Sequence, residues 1–283
     1  MSIKYSKSMD FTHKVNALVS DLTTQLIAKE DYTQNILKIH ENTYDESLCR
    51  DFCDMFIAAK RKAETECLPG VQWLTDVNVS ATLVDLFIAG IETSFTTIQW
   101  LLLFMAYFED WQQKLRVEID EVLGDRVATM QDRPLMHCVQ AFLAESLRYR
   151  TAAPIGSPRN TLLDTTIAGH PIASQTMVVQ HTYNMSMNEK YWPRSSDFDP
   201  GRFLDKHVRP PAFIPFGTGR RVCIGESLAL NIMFIFVVRF LQLTRDHPIR
   251  LTHKYRTDHT LEPLVNQNIF FLVPTDYEIV FEK

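Results

Sequence analysis

The sequence predicts a mainly helical fold with a small antiparallel β-sheet. Three observations carry that expectation. An apolar run from about 75 to 107 is too long for a strand and is interrupted by polar residues at a helical repeat. Helical patterns flank it at 109–123, 134–149 and 225–244. The β-prone pieces are short and fall between 160 and 180 and in the C-terminal tail.

Taken in order, residues 11–40 read as a helix with Val15, Leu18, Val19 and Leu22 on one face. Residues 46–65 read as a second, with Leu48, Phe52 and Phe56 at i, i+4 spacing and a charged end at Lys60-Arg61-Lys62. Leu68-Pro69-Gly70 punctuates the chain. Thr75-Asp76 opens the long helix, with a hydroxyl to cap it and an acid in its first turn. Ending near Tyr107, that helix is a rod of roughly 45 Å. Asp85, Glu92 and Gln99 recur along it every seven positions, with Thr96 on the same side. Such a polar seam fits a buried helix lining a cavity better than a lipid-facing span.

Residues 109–123 form a charged, amphipathic helix ended by Gly124, and Pro134 opens another that runs to about Tyr149. Gly169-His170-Pro171 makes a turn, and Met177-Val178-Val179 is the strongest strand signal. Residues 190–222 are rich in proline and glycine and read as irregular. Gly225 to about Thr244 is a strongly apolar helix. Ile269–Val273 and Tyr277–Phe281 read as a hairpin around Pro274-Thr275-Asp276.

The 283 residues, 46% of them hydrophobic, suffice for one large core or two modest domains. A net charge of −5 without a basic run gives no support for a nucleic-acid partner. Five cysteines (Cys49, Cys53, Cys67, Cys138, Cys223) form no CxxC pair, which suits a reducing compartment. Cys49 and Cys53 sit at i, i+4 and read as packing residues, with a metal pair as the alternative. His137, His170, His181 and His247 have no metal-ligand spacing and read as structural or surface residues. Met1 to Lys7 opens no long apolar stretch, so no secretory signal or membrane anchor is expected. No phosphate loop, hydrolase elbow or zinc signature is present.

The richest segment is Pro215-Phe216-Gly217-Thr218-Gly219-Arg220-Arg221-Val222-Cys223-Ile224-Gly225. It puts one cysteine in a glycine-rich loop, two residues after a cation and just before a helix. A reactive thiolate needs such a setting: free backbone N–H groups, the positive end of a helix and little water. The segment fills every fixed position of Phe-x-x-Gly-x-Arg-x-Cys-x-Gly and here resembles the cytochrome P450 family, while His40 to Asp45, Arg50 to Asp54 and Glu226 to Ala229 resemble its microsomal branch of steroid and xenobiotic hydroxylases. The resemblance implies that Cys223 is the axial ligand of a haem b iron. It implies further that Gly217 lets the backbone approach closely, Phe216 shields the sulfur and Arg221 pairs with a propionate, adjacent Arg220 being solvated. Thiolate ligation favours O–O bond cleavage, so the implied chemistry is oxygen activation. A buried thiol also needs N–H donors to the sulfur, and the loop is expected to supply them.

Three further segments extend the likeness. Ala89-Gly90-Ile91-Glu92-Thr93-Ser94 resembles the family's oxygen-binding segment. Gly90 permits close approach, and a hydroxyl at Thr93 can bond back one turn and open the helix. By resemblance Thr93 orients protons, Glu92 links it to solvent, and Ala89 faces the haem. Glu145 and Arg148 share one helix face with apolar residues, so the pair is expected to be buried and to need a further partner; Asp199-Pro200-Gly201-Arg202-Phe203 resembles the family's Pro-x-Arg-Phe segment, which implies that Arg202 completes a structural triad. Pro154 to Arg159 resembles a pocket-lining stretch: Arg159 is the implied propionate contact, Ile155 and Gly156 the implied substrate contacts, and Asn160 is unassigned.

The likeness makes the chain a partial domain of this family. Residues 1–70 hold preceding helices, 75–107 the oxygen-binding helix, 134–149 the Glu–Arg helix, and 215–244 the thiolate loop with its following helix. Met1 then falls in what looks like the middle of the fold, with the anchor and earlier helices absent. Two readings follow. The first is a haem-thiolate monooxygenase that inserts one oxygen atom of O2 into an apolar substrate. Its electrons come from an NADPH-dependent cytochrome P450 reductase at the cytosolic face of the endoplasmic reticulum membrane. The second is a truncated, non-catalytic remnant that binds haem poorly.

Overall fold

The chain divides inside its longest helix: one unit holds the described residues through Glu92, the other those from Thr93 onward. The computed structural model describes residues 30–204, 210–257, 260–263 and 271–282.

The first unit begins with α1 (Glu30–Asn42) and α2 (Phe52–Thr65). Val15, Leu18, Val19 and Leu22 lie outside the described residues. The helix expected from residue 46 starts six residues later, at Phe52. The cause is local acid chemistry. Asp45 folds back on Ser47, accepting from its N–H at 2.8 Å and its hydroxyl at 2.7 Å. Asp51 then caps α2, accepting from the Cys53 N–H at 2.8 Å. Leu48 and Cys49 therefore precede the helix, and the cysteine pair does not share a helical face. Cys53 is buried and Cys49 exposed. The small core of this unit is Leu37, Ile57 and Val79, with Tyr44, Phe56 and Leu83 packed against it. Gly70 (φ 92°) makes the expected break.

The long helix α3 is Asp76–Tyr107, and Thr75 Oγ1 accepts the Asn78 N–H at 3.2 Å as the predicted cap. Its polar seam is not uniformly buried: Asp85 is exposed and Glu92 half-buried, while Thr96 and Gln99 are buried. Burial follows the available partners. In the second unit Trp100 donates its indole N–H to the Leu272 carbonyl at 2.6 Å, and Tyr277 donates to the Gln99 carbonyl at 2.7 Å. Both α3 and the later helix α7 (Glu226–Leu243) are long and apolar enough to cross a membrane, by length and composition only.

The core of the second unit joins Trp100 to Ala106 with α4 (Glu109–Leu123), α5 (His137–Tyr149) and α7. Gly124 ends α4 as predicted. Pro134 does not open α5; it lies in a 3₁₀ turn, Met130–Leu135. The helix starts at His137 because Glu118, from α4, accepts the N–H groups of Cys138 and Val139 at 2.7 and 2.9 Å. Gln112 binds both the N–H and the carbonyl of Ile249. Arg116 donates to the carbonyls of Leu241, Thr244 and His247, so α4 satisfies the end of α7. Four short strands pair antiparallel: β1 (Arg159–Asn160) with β4 (Met177–Val178), and β2 (Thr165–Ile167) with β3 (His170–Ile172). His170 and Pro171 thus belong to a strand, and Ala168-Gly169 make the turn. Among the described residues the expected tail hairpin is not seen. β6 (Ile279–Phe281) pairs with β5 (Ile249–Leu251), where the backbone groups beyond α7 need partners, and Ile269 and Phe270 lie outside the described residues.

At the centre of this unit, Arg148 and Glu145 are both fully buried and joined by two bonds of 2.7 Å. Arg148 also donates to the carbonyls of Ser186, the last residue of the short helix α6 (Thr182–Ser186), and of Ser195 and Asp197. Glu145 accepts the Asp199 N–H at 2.8 Å, and Arg202 Nε lies 3.5 Å from it. The predicted triad is formed. Burial pushes the Glu145 carboxyl up, and the two guanidinium groups and the Asp199 N–H pull it the other way.

Two tests follow. Arg148→Met strands a buried carboxylate and three carbonyls and should cost about 3–5 kcal/mol in a urea melt, with Arg194→Met on the exposed surface near zero. Arg126 grips Asp132 at 2.9 and 2.6 Å and, with the Thr129 N–H, holds its carboxyl well below the usual range. A depressed folded value means the stabilisation is complete above the unfolded carboxylate pKa of about 3.9 and is lost as pH falls below it. The melting temperature should therefore drop on acidification below about pH 4, less steeply in Asp132→Asn.

Candidate functional site

The cysteine loop is built by two left-handed glycines and one backbone closure. Gly217 (φ 76°) and Gly219 (φ 74°) turn the chain where any Cβ would be strained. The Cys223 N–H then donates to the Phe216 carbonyl at 2.9 Å, closing the loop, and the Glu226 N–H reaches the Cys223 carbonyl at 3.4 Å as α7 begins. A Cβ built on Gly225 would stand 3.7 Å from Cys223 Sγ, so the sulfur lies beside the first turn of α7. The helix dipole favours negative charge there.

Two expectations for this loop are corrected. Cys223 is exposed, not enclosed, and no hydrogen bond reaches its sulfur among the described residues. The Cys223 N–H is already used in closing the loop on Phe216. The Phe216 ring is half-buried and packs on the core of its unit. Around the sulfur in sequence, Val222, Ile224 and Leu228 are exposed apolar residues. Arg220 and Arg221 are exposed cations.

Thr93 and Glu92 are half-buried, while Ala89 and Gly90 are exposed. One turn further on, Thr97 Oγ1 makes a back-bond of this kind, donating to the Thr93 carbonyl at 2.8 Å. A Cβ at Gly90 would meet nothing within 4 Å, so no described backbone uses the space its missing side chain leaves. Arg159 stands on β1 opposite Val178, with its side chain exposed. Arg159 and Arg221 form no side-chain hydrogen bond or ion pair among the described residues. Ile155 is exposed, and Gly156 donates to the Gln180 carbonyl at 2.8 Å, where a Cβ would press on Gln180 at 3.3 Å. An open groove of about 560 Å³, lined by Met130, Arg133, Pro134, Gln140 and Asn231, holds none of these residues, and nothing in its lining suggests chemistry.

The sequence-predicted residues therefore occupy four places: the cysteine loop, α3, the irregular stretch of Ile155 and Gly156, and β1. The loop fits a haem on its own chemistry. It offers a soft sulfur donor at a helix start, exposed apolar side chains and, among the described residues, a guanidinium on Arg221 without a carboxylate partner. Sequence reasoning missed the carbonyl-binding side chains Gln112, Arg116 and Arg150. Their one signal is a polar residue on an otherwise apolar helix face, as with Gln112 beside Leu115.

Comparison with known proteins bears on the same residues. The cytochrome P450 family model matches residues 13–272. Steroid 17-alpha-hydroxylase/17,20 lyase of Gallus gallus is 33% identical over 225 residues, 77% of this chain and 44% of that protein. Cytochrome P450 2J3 of Rattus norvegicus is 31% identical over 239 residues, 82% and 47% respectively. A solved structure described as zebra fish cytochrome P450 with progesterone superposes with a TM-score of 0.75 at 28% identity, over 92% of this chain and 56% of that one. The chain spans about half the length of the curated relatives it matches. On the family match, the shared fold and the intact cysteine loop together, the chain belongs to the cytochrome P450 family.

Proposed function

We propose that the chain carries the thiolate half of a haem-dependent monooxygenase acting on an apolar organic substrate, steroid-like or xenobiotic. The observation that carries this reading is Cys223, presented at the surface beside the first turn of α7 in a loop matching the family at every fixed position. The relative named as a steroid 17-alpha-hydroxylase/17,20 lyase supports the substrate class. Haem b, when bound, supplies the activation of O2 and the insertion of one oxygen atom into a C–H bond.

The chain's own residues do the rest. Cys223 binds iron as a thiolate, with Gly217 shaping the turn and Phe216 bracing the loop from the core. Arg221 and Arg159 pair with the propionates. Ala89, one turn before Thr93, offers a small side chain to the cofactor. Thr93 Oγ1 holds and passes a proton, and Glu92 exchanges it with solvent. The roles of these last three residues rest on the likeness of their segment to the family's oxygen-binding segment. Electrons come from an NADPH-dependent cytochrome P450 reductase at the cytosolic face of the endoplasmic reticulum membrane.

The decisive experiment is the carbon monoxide difference spectrum of the reduced protein after supply of hemin. The red-shifted Soret band of thiolate ligation is expected, and Cys223→Ala should abolish it. A correctly folded chain that takes up no haem would instead support the reading of a non-catalytic remnant. Thr93→Ala is expected to keep the band while product formation drops by about 100-fold and peroxide rises. Unchanged coupling of NADPH to product would remove Thr93 from the proton path.

A further inference from the structure

We propose that His40, Asp51 and Cys53 form a binding site for a zinc-like divalent cation, in a part of the chain that the haem chemistry does not use. Their ligand atoms lie within 4.8 Å of one another. His40 Nε2 stands 3.4 Å from Asp51 Oδ2. That matches the spacing of two ligands on one tetrahedral ion with bonds of about 2.0–2.2 Å.

Local folding builds the cluster. His40 lies in the last turn of α1, Asp51 is the N-cap of α2, and Cys53 sits in the first turn of α2. Asp51 Oδ1 accepts the N–H groups of Cys53 and Asp54 at 2.8 and 3.3 Å, leaving Oδ2 to face His40. His40 Nδ1 is 3.0 Å from Asp54 Oδ1. Asp54 is in turn fixed by Arg50 through two side-chain bonds of 2.7 Å and a backbone bond of 2.9 Å. A carboxylate on the far ring nitrogen is the usual support of a metal-binding histidine, because it sets the tautomer and frees the other nitrogen. With Nδ1–H given to Asp54, Nε2 and Asp51 Oδ2 are two acceptors facing each other, and a cation between them resolves the repulsion.

Cys53 supplies the second, independent observation. Its side chain is buried (7% exposed), and its sulfur has no hydrogen-bond partner among the described residues. Burial first, and then Asp51 and Asp54, push its thiol pKa up. On binding, the thiol proton leaves to solvent and a sulfur–metal bond forms. The cation's two positive charges are matched by the thiolate and Asp51. The Arg50 guanidinium, whose Nη2 is 3.3 Å from His40 Nδ1, is matched by Asp54. Asp51 is about half exposed, which gives an ion a way in and leaves the fourth position to water. One nitrogen, one oxygen and one sulfur donor suit zinc and disfavour calcium or magnesium.

The test is titration of the full chain with Co2+ as a spectroscopic stand-in. One equivalent should give thiolate-to-cobalt absorption that Zn2+ displaces, that persists in Cys223→Ala and that is lost in Cys53→Ala. Asp51→Asn keeps the cap, since asparagine caps as well as aspartate, yet should weaken Co2+ binding. Asp54→Asn should weaken it about 10- to 100-fold by releasing His40. Should Cys53→Ala not fold, Zn2+ protection of Cys53 from iodoacetamide, read by mass spectrometry on the unsubstituted chain, decides the matter. Absence of the cobalt band, a band that depends on Cys223 alone, or Cys53 labelling indifferent to Zn2+ would each overturn the proposal.

Discussion

The second unit is organised around one fully buried ion pair, Glu145 with Arg148. Taking both charges out of water is costly, and the attraction between them repays that only when every remaining donor and acceptor is also satisfied. The network meets that condition with backbone. Three carbonyls from 186–197 and one N–H from Asp199 complete it, so an irregular segment is drawn onto α5. Arg202 extends the hold to the carbonyls of Pro193 and Arg194. A region without regular structure thereby acquires a defined path. The aromatic cluster of Phe104, Phe142, Tyr149 and Phe198 packs beside it.

The cysteine loop solves a different problem. The Glu–Arg pair is sealed, whereas the Cys223 thiol is left exposed. Two glycines and one backbone bond hold the loop without enclosing its thiol. The contrast among the cysteines follows. Burial raises the thiol pKa of Cys138 and Cys53, and Cys223 remains open to a partner.

Helix ends recur as the places where distant parts of the chain are joined. Glu118 caps α5 from α4, and Arg116 binds the last carbonyls of α7. Asp51 caps α2 and at the same time turns an oxygen toward His40. Each satisfies backbone groups that a helix leaves unpaired at its end.

The sequence by itself determined the family, the long helix with its Thr75 cap, the end of α4 at Gly124, and the burial of Glu145 with Arg148. Those are local facts: capping chemistry, a left-handed glycine, a charged pair on an apolar face, a loop motif. Tertiary structure alone decided that α5 waits for Glu118 and that β6 pairs with β5. It also decided which part of the seam on α3 is dry and that Cys223 is open. The physical reason is common to these cases. A boundary or a burial state depends on which distant group satisfies a backbone donor or covers a side chain, and no local pattern encodes that partner.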